Sequence, residues 1–294
     1  MTARFKTSLM LIPLSIALLS FARIWQTVSR FTDVPQLVES LWHAPKQASI
    51  DAYDCRQNYT IEILSIDPLM IYINNFLSDY EVNHILDVGL TIISTFSRDK
   101  FEQSPVYDEN LKTVVDRRFR TSQSAMVPKS DVVGKCLSRK MKSILGNIQH
   151  IDTEPIQIVK YEPNERFRIH MDWFDKPRNR TYSRNHPRRS YNRLASIFAY
   201  LDDSCTGGET YFPEVQGVSN VADGDKFSRT ESGKGLLVRP KRGNAVFWNN
   251  LLPNGTGDPR VAHAGLPVHS GRKIGINLFS HYYYDAPMLG GDEE

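Results

Sequence analysis

The stretch "RFRIHMDWFD", residues 166–175, sets an imidazole and a carboxylate, His170 and Asp172, one residue apart in an otherwise apolar run of Phe167, Ile169, Met171, Trp173 and Phe174. On a strand, residues i and i+2 point to the same face. Buried polar groups are costly unless they are paired or bind a metal. His170 and Asp172 therefore face water, pair with other groups, or hold a cation together.

The stretch sits among short apolar runs punctuated by glycine, proline and asparagine: "IQIVKYE", "RLASIFAYL", "ETYFP", "GLLVRP", "NAVFWNN" and "KIGINLFSHYYY". Short strands at such spacing predict a mostly β sandwich or barrel, here a jelly roll, with helices ahead of it. The helices come from the earlier part of the chain. "PLMIYINNFLSDYEVNHILDVGLTIIS" reads as strand, turn and helix, with Ser78 and Glu81 forming a capping box. "KSDVVGKCLSRKMKSILG" reads as a second amphipathic helix, capped by Ser130 and stopped near Gly146. The stretch Lys176–Arg193, "KPRNRTYSRNHPRRSYNR", reads as a basic loop between two strands. Loops of that length serve as lids or binding loops, and solvated surface loops look the same in sequence.

The ends of the chain differ from its middle. Arg4 and Lys6 precede an apolar run from Ser8 to Ala22, with Ser20 and Ala22 spaced as in a signal-peptidase site. The run is short for a spanning helix, which needs about 20 apolar residues. Residues 1–29 are expected to be a cleaved signal or an uncleaved single-pass anchor. Both send the domain into the secretory pathway: the endoplasmic reticulum lumen or membrane, or the outside of the cell after cleavage. Three sequons, at Asn58, Asn179 and Asn254, suit a glycoprotein of that compartment. Residues 30–67 read as a linker, 68–285 as the domain, with its jelly-roll core at about 154–284, and 286–294 as a tail. With 36 basic and 33 acidic residues, nothing favours nucleic acid as a partner. Cys55, Cys136 and Cys205 lack metal-type spacing, so one disulfide and one free thiol is the most they allow.

Two ligands seldom hold a metal, so a third is needed. His186, His263, His269 and His281 all lie downstream. Two histidines and one carboxylate make the facial triad of non-heme Fe(II) oxygenases, with open positions for a chelating cosubstrate and dioxygen. Lys273, ten residues after His263, would suit a dicarboxylate there. Two polar residues on an outer strand face would give the same His170/Asp172 pattern.

Taken in order, "YINNFLSDYE", "RTSQSAMVP", "YEPNERFRIHMDWF", "RLASIFAYLDDSCTGGETYFP", "VRPKRGNAVFWNN" and "HAGLPVHSGRK" resemble the catalytic domain of prolyl 4-hydroxylases, within the iron(II)- and 2-oxoglutarate-dependent dioxygenases. The resemblance runs from about residue 68 to 285. It implies a double-stranded β-helix, an Fe(II) ion held by His170, Asp172 and His263, and 2-oxoglutarate and O2 as cosubstrates, with ascorbate as a candidate accessory. It further implies that Lys273 binds the distal carboxylate of 2-oxoglutarate, and that Tyr200 and Tyr161 lie on the cosubstrate side. Plain core tyrosines would look the same. The implied reaction hydroxylates an unactivated C–H bond, on a peptidyl proline or a related substrate, with release of succinate and CO2. The sequence departs from the family in "EPNERFRI", which lacks glycines, and in Ile274 after Lys273, where an aromatic is typical.

Other readings stay open. The substrate could be a small metabolite in a biosynthetic pathway, or the scaffold could be an inactive binding module. A zinc hydrolase lacks an evident general base. Fold analogy does not choose a substrate.

Overall fold

The computed structural model describes residues 53–56, 58–94, 102–107, 112–146, 152–181, 188–216, 219 and 224–284. The expected signal or anchor over 1–29 and the tail over 286–294 lie outside the described residues, as do residues 30–52 of the expected linker.

In chain order the first elements are β1 (Thr60–Ile66), β2 (Leu69–Asn74), helix α1 (Asp79–Ser94), β3 (Glu102–Gln103), β4 (Val106–Tyr107), β5 (Thr113–Val114), β6 (Gln123–Met126) and helix α2 (Val132–Leu145). The strand-rich part follows: β7 (Gln157–Tyr161), β8 (Phe167–His170), β9 (Arg178–Thr181), β10 (Arg188–Asp202), β11 (Cys205–Gly207) and β12 (Thr210–Phe212). It ends with β13 (Phe227–Ser228), β14 (Leu236–Val238), β15 (Ala245–Asn249), β16 (His263–Gly265), β17 (Val268–Gly271) and β18 (Lys273–Tyr283).

The larger sheet runs β1-β2-β15-β10-β18-β7-β6-β3, with β9 paired to β10; the smaller runs β13-β14-β12-β16-β8. The chain steps from one sheet to the other between β7 and β8, β10 and β12, and β15 and β16, and returns to the larger in β18. That alternation gives the mostly β, double-stranded β-helix expected from sequence.

The larger sheet is buried on both faces, which is why β10 reads as a nearly continuous apolar run. Ile197 and Ala199 face α1 and α2, in a core with Val82, Ile85, Leu137, Ile276 and Leu278. Phe198 and Tyr200, one step out of phase, face the smaller sheet, in a second core with Phe212, Val238, Trp248 and Tyr161. The same alternation in β18 sends Ile274, Ile276 and Leu278 to the helices and leaves Lys273 on the inter-sheet side, beside Tyr161, Phe198 and Tyr200.

Both helices begin as their sequences require, with one correction. The capping box of α1 is reciprocal: the Ser78 N–H donates to Glu81 Oε2 (2.7 Å), and the Glu81 N–H donates to Ser78 Oγ (3.2 Å). Helix α2 is capped by Asp131, which accepts from the Gly134 N–H at 2.8 Å, and not by Ser130. Asp131 also pairs with His84 at 2.7 Å, which ties this cap to α1. Gly146 closes α2 with φ 64°, a backbone state that costs other residues more.

Two other expectations change. The linker expected over 30–67 contains β1, which pairs along its length with β2, and Cys55 just before it is bonded to Cys136 of α2, leaving Cys205 as the free thiol. The stretch Lys176–Arg193 is not a plain loop, because Arg178–Tyr191 form an antiparallel ribbon of β9 on β10. Residues 182–187, which include His186, lie outside the described residues.

Candidate active site

His170 and His263 are direct partners across the antiparallel pair β8–β16. Their rings lie 4.3 Å apart between centroids. Asp172 is not on the strand: β8 ends at His170, and Asp172 sits in the bend beyond it. Its carboxylate still returns to the two rings, with Oδ1 3.8 Å from His170 Nε2 and Oδ2 3.7 Å from His263 Nε2. One ligand atom from each of the three lies within 4.8 Å of the others. Among the described residues, this is the group of histidine, cysteine and carboxylate side chains close enough to share an ion.

Local hydrogen bonds fix how each group is presented. His170 Nδ1 donates to the Arg168 carbonyl at 2.8 Å, and His263 Nδ1 donates to the Val261 carbonyl at 3.0 Å. A carbonyl can only accept, so each ring carries its proton on Nδ1 and turns the Nε2 lone pair inward. Burial and the neighbouring His263 push His170 well below the ordinary histidine value, which keeps it neutral. Phe167 stacks on His170 at 3.5 Å, and Trp248 meets His263 edge-on at 4.7 Å. Asp172 is steered by a buried relay: Asn250 Nδ2 donates to Ser196 Oγ (2.9 Å), which donates to Asp172 Oδ2 (2.7 Å). Two imidazoles and one carboxylate, oriented this way, fit a divalent iron.

Lys273 lines the same cavity, of about 840 Å³, at 2% exposure. Its ammonium donates to the Gly208 carbonyl at 2.6 Å and lies over the rings of Tyr161, Phe198 and Tyr200 at 5.0–5.7 Å. Gly208 brings that carbonyl in because its φ of 74° and the lysine Cδ, 3.3 Å from where a Cβ would stand, favour glycine. Desolvation pushes the ammonium down to about 8, against opposing pulls from Cys205 and Glu209. A buried cation facing one carbonyl and aromatic rings fits a carboxylate ligand.

The two tyrosines part company. Tyr161 is the direct partner of Lys273 across β7–β18 and lines the cavity. Burial raises its hydroxyl, and the Arg120 guanidinium and Ser122 oppose that rise. Tyr200 is fully buried behind Lys273, its hydroxyl bonded to Thr210 at 2.9 Å, and is not among the lining residues; Thr210 is. His269 is exposed on β17, and His281 is buried between Glu154 (3.3 Å) and Tyr283 (3.4 Å); neither joins the cluster.

Sequence reasoning missed Ser196 and Asn250, and also the Arg193–Glu154 pair, joined by two bonds of 2.7 Å at the cavity's edge. A signal for Ser196 was present: it shares the phase of Phe198 and Tyr200 on β10. Arg120, in the arginine-threonine-serine stretch, is buried against the Phe167 ring at 4.5 Å and bonds Ser122 at 2.9 Å.

The sequence model of the 2OG-Fe(II) oxygenase superfamily matches residues 156–281, from β7 to the end of the core. Relatives from Arabidopsis thaliana include probable prolyl 4-hydroxylase 8, 26% identical over 88% of this chain and 83% of its own length. Prolyl 4-hydroxylase 1 is 28% identical over 74% of this chain and 70% of its own. Among solved structures, the viral collagen prolyl hydroxylase of Paramecium bursaria Chlorella virus-1 aligns over 72% of this chain and 95% of its own, with TM-score 0.49 and 22% identity. Over residues 156–281 the chain is similar to the 2OG-Fe(II) oxygenases, and the relatives it resembles along most of its length carry the names of prolyl 4-hydroxylases. The family's cofactor and cosubstrates are Fe(II), 2-oxoglutarate and O2.

One pair of substitutions should separate the two halves of the site. Ser196→Ala, which frees the Asp172 carboxylate, should weaken metal binding about 10- to 100-fold, and Ser196→Thr should restore it. Lys273→Ala should leave metal binding nearly unchanged but cost the cosubstrate about 2–5 kcal/mol, roughly thirtyfold to several-thousandfold in affinity. In the wild type, 2-oxoglutarate binding should be full below pH 8 and weaken as pH rises through about 8, where the free lysine loses its proton. Calorimetric titration of metal and cosubstrate checks both. Unchanged metal affinity in Ser196→Ala, or unchanged cosubstrate affinity in Lys273→Ala, contradicts the assignment concerned.

Proposed function

We propose that this enzyme hydroxylates an unactivated C–H bond of a peptidyl proline, with His170, Asp172 and His263 as metal ligands and Lys273 as partner of the distal carboxylate of 2-oxoglutarate. The observation that carries the reading is the sharing of one cavity by the His–Asp–His cluster and a buried, partly destabilised ammonium. The names of the Arabidopsis relatives support prolyl 4-hydroxylation.

Bound Fe(II) and 2-oxoglutarate supply, in this family, an oxidative decarboxylation that releases succinate and CO2 and delivers oxygen to the substrate. The chain's own part is placement. The Nδ1 bonds hold both imidazoles in one tautomer. Ser196 holds the carboxylate. Lys273, which lines the same cavity, would set the direction in which a dicarboxylate lies. The inter-sheet core of Trp248, Phe212 and Phe198 keeps bulk water from that side.

His170→Ala, Asp172→Ala and His263→Ala should each abolish both iron binding and succinate release with proline-rich peptides, whereas His269→Ala should keep both. Iron analysis and succinate measurement over a panel of peptides and free small molecules test this. Full activity in any of the first three removes that residue from the metal site, and turnover confined to small molecules replaces the peptidyl reading.

We also infer a secretory-pathway location. The basic start and apolar run of residues 4–22 support it, and so does the Cys55–Cys136 disulfide, since such bonds persist in oxidising compartments. Translation of the full chain with microsomes should give a protease-shielded, glycosidase-sensitive product. Complete digestion of a product with its amino terminus intact argues for another compartment.

A further inference from the structure

Large exposed apolar side chains gather at the mouth of the cavity. Val114 (37% exposed), Phe119 (47%), Ile169 (55%) and Met171 (42%) all line it. Ile169 and Met171 alternate with the two ligand candidates His170 and Asp172. Phe119 is fixed beside them, because its carbonyl accepts the Arg168 N–H at 2.9 Å. Val114 stands on β5, paired antiparallel with β4. Single exposed apolar residues are ordinary, but a group of them around one opening marks a place of contact.

The charged groups of the outer cavity are largely engaged already. Arg118 makes a forked pair with Asp116, at 3.1 and 2.7 Å. Arg193 makes one with Glu154, at 2.7 Å on both arms. Asp175 is a further lining carboxylate. Beside Asp175, the described rim offers mainly apolar surface, lining the same cavity as His170, Asp172 and His263.

We propose that this rim is a subsite for a bulky apolar residue next to the residue that is hydroxylated. The substrate is then a peptide with leucine, isoleucine, valine, methionine or phenylalanine beside the target. A free amino acid or a charged metabolite would leave the rim in water. The assignment rests on the reading of the cavity as an oxygenase site, and adds the class of sequence that the site selects.

The test uses the full chain and peptides of one length with a central proline, flanked by leucine, phenylalanine, glycine, lysine or glutamate, together with free proline. Succinate release gives kcat/KM, and the anisotropy of labelled peptides gives binding without turnover. Hydrophobic subsites discriminate by about ten- to two-hundredfold, so the leucine and phenylalanine peptides should exceed the glycine peptide by that range. Ile169→Ser/Met171→Ser, and separately Val114→Ser/Phe119→Ser, should bring the leucine-to-glycine ratio toward one. Ile61→Ser/Ile63→Ser, exposed on β1, should leave the ratio unchanged. A wild-type preference for lysine or glutamate flanks, no preference at all, or a ratio unchanged in both rim variants overturns the subsite. Binding of the leucine peptide that depends on the rim, without succinate release from any peptide, upholds the subsite and overturns prolyl hydroxylation. Absence of peptide binding overturns the subsite.

Discussion

The pairing of β8 with β16, which sets His170 directly across from His263, is the constraint on which the site depends. Two imidazoles directly opposite one another on antiparallel strands share a face, as His170 and His263 do here. A slip of one residue would turn one of them to the opposite side. The register is held from several directions. Arg120 forms an isolated bridge to Phe167 at the start of β8. β16 is pinned on its other edge by β12, and the larger sheet supplies Trp248 against His263. The jelly roll is in this sense a frame that brings one strand bearing His170 and another bearing His263 together over a buried floor.

Around that pair the structure spends burial in two opposite ways. Burial keeps His170 neutral and available as a ligand. It also weakens the Lys273 ammonium, leaving it with a carbonyl and aromatic rings where a carboxylate would serve it better. Both groups are costly to bury alone. Both become favourable together when a cation sits among His170, Asp172 and His263 and a dicarboxylate spans from there to Lys273. The apolar rim of Ile169, Met171, Val114 and Phe119 lies on the outward side of this polar floor.

Much of this was legible in the sequence because it is encoded locally. The His170–Asp172 spacing, the capping box of Ser78 and Glu81, and the short apolar runs are patterns of a few residues. What was not legible depended on depth and long-range pairing. The phase of β10 gives the face of Tyr200 but not its depth, and the tyrosine is buried behind Lys273 with its hydroxyl spent on Thr210. Asp172 lies past the end of its strand, so its approach to the histidines comes from Ser196, 24 residues away, and not from strand alternation. The ribbon within Lys176–Arg193 carries a polar sequence and becomes strand because β10 offers it an edge, and Thr60–Ile66, whose Ile61, Ile63 and Ile66 stay exposed, pairs with β2. Asp131 displaced Ser130 as a cap because it meets both the Gly134 amide and His84.

On the proposed reading, the His170, Asp172 and His263 cluster and Lys273 form one site for one chelating dicarboxylate. Calorimetric titration of 2-oxoglutarate into the full chain without oxygen, with and without Fe(II), tests it most directly. The two ligands should be coupled, with Fe(II) tightening 2-oxoglutarate by about 5- to 150-fold, and glutarate, which lacks the 2-oxo group, should show little of that gain. Equal 2-oxoglutarate affinity with and without the metal would contradict the account.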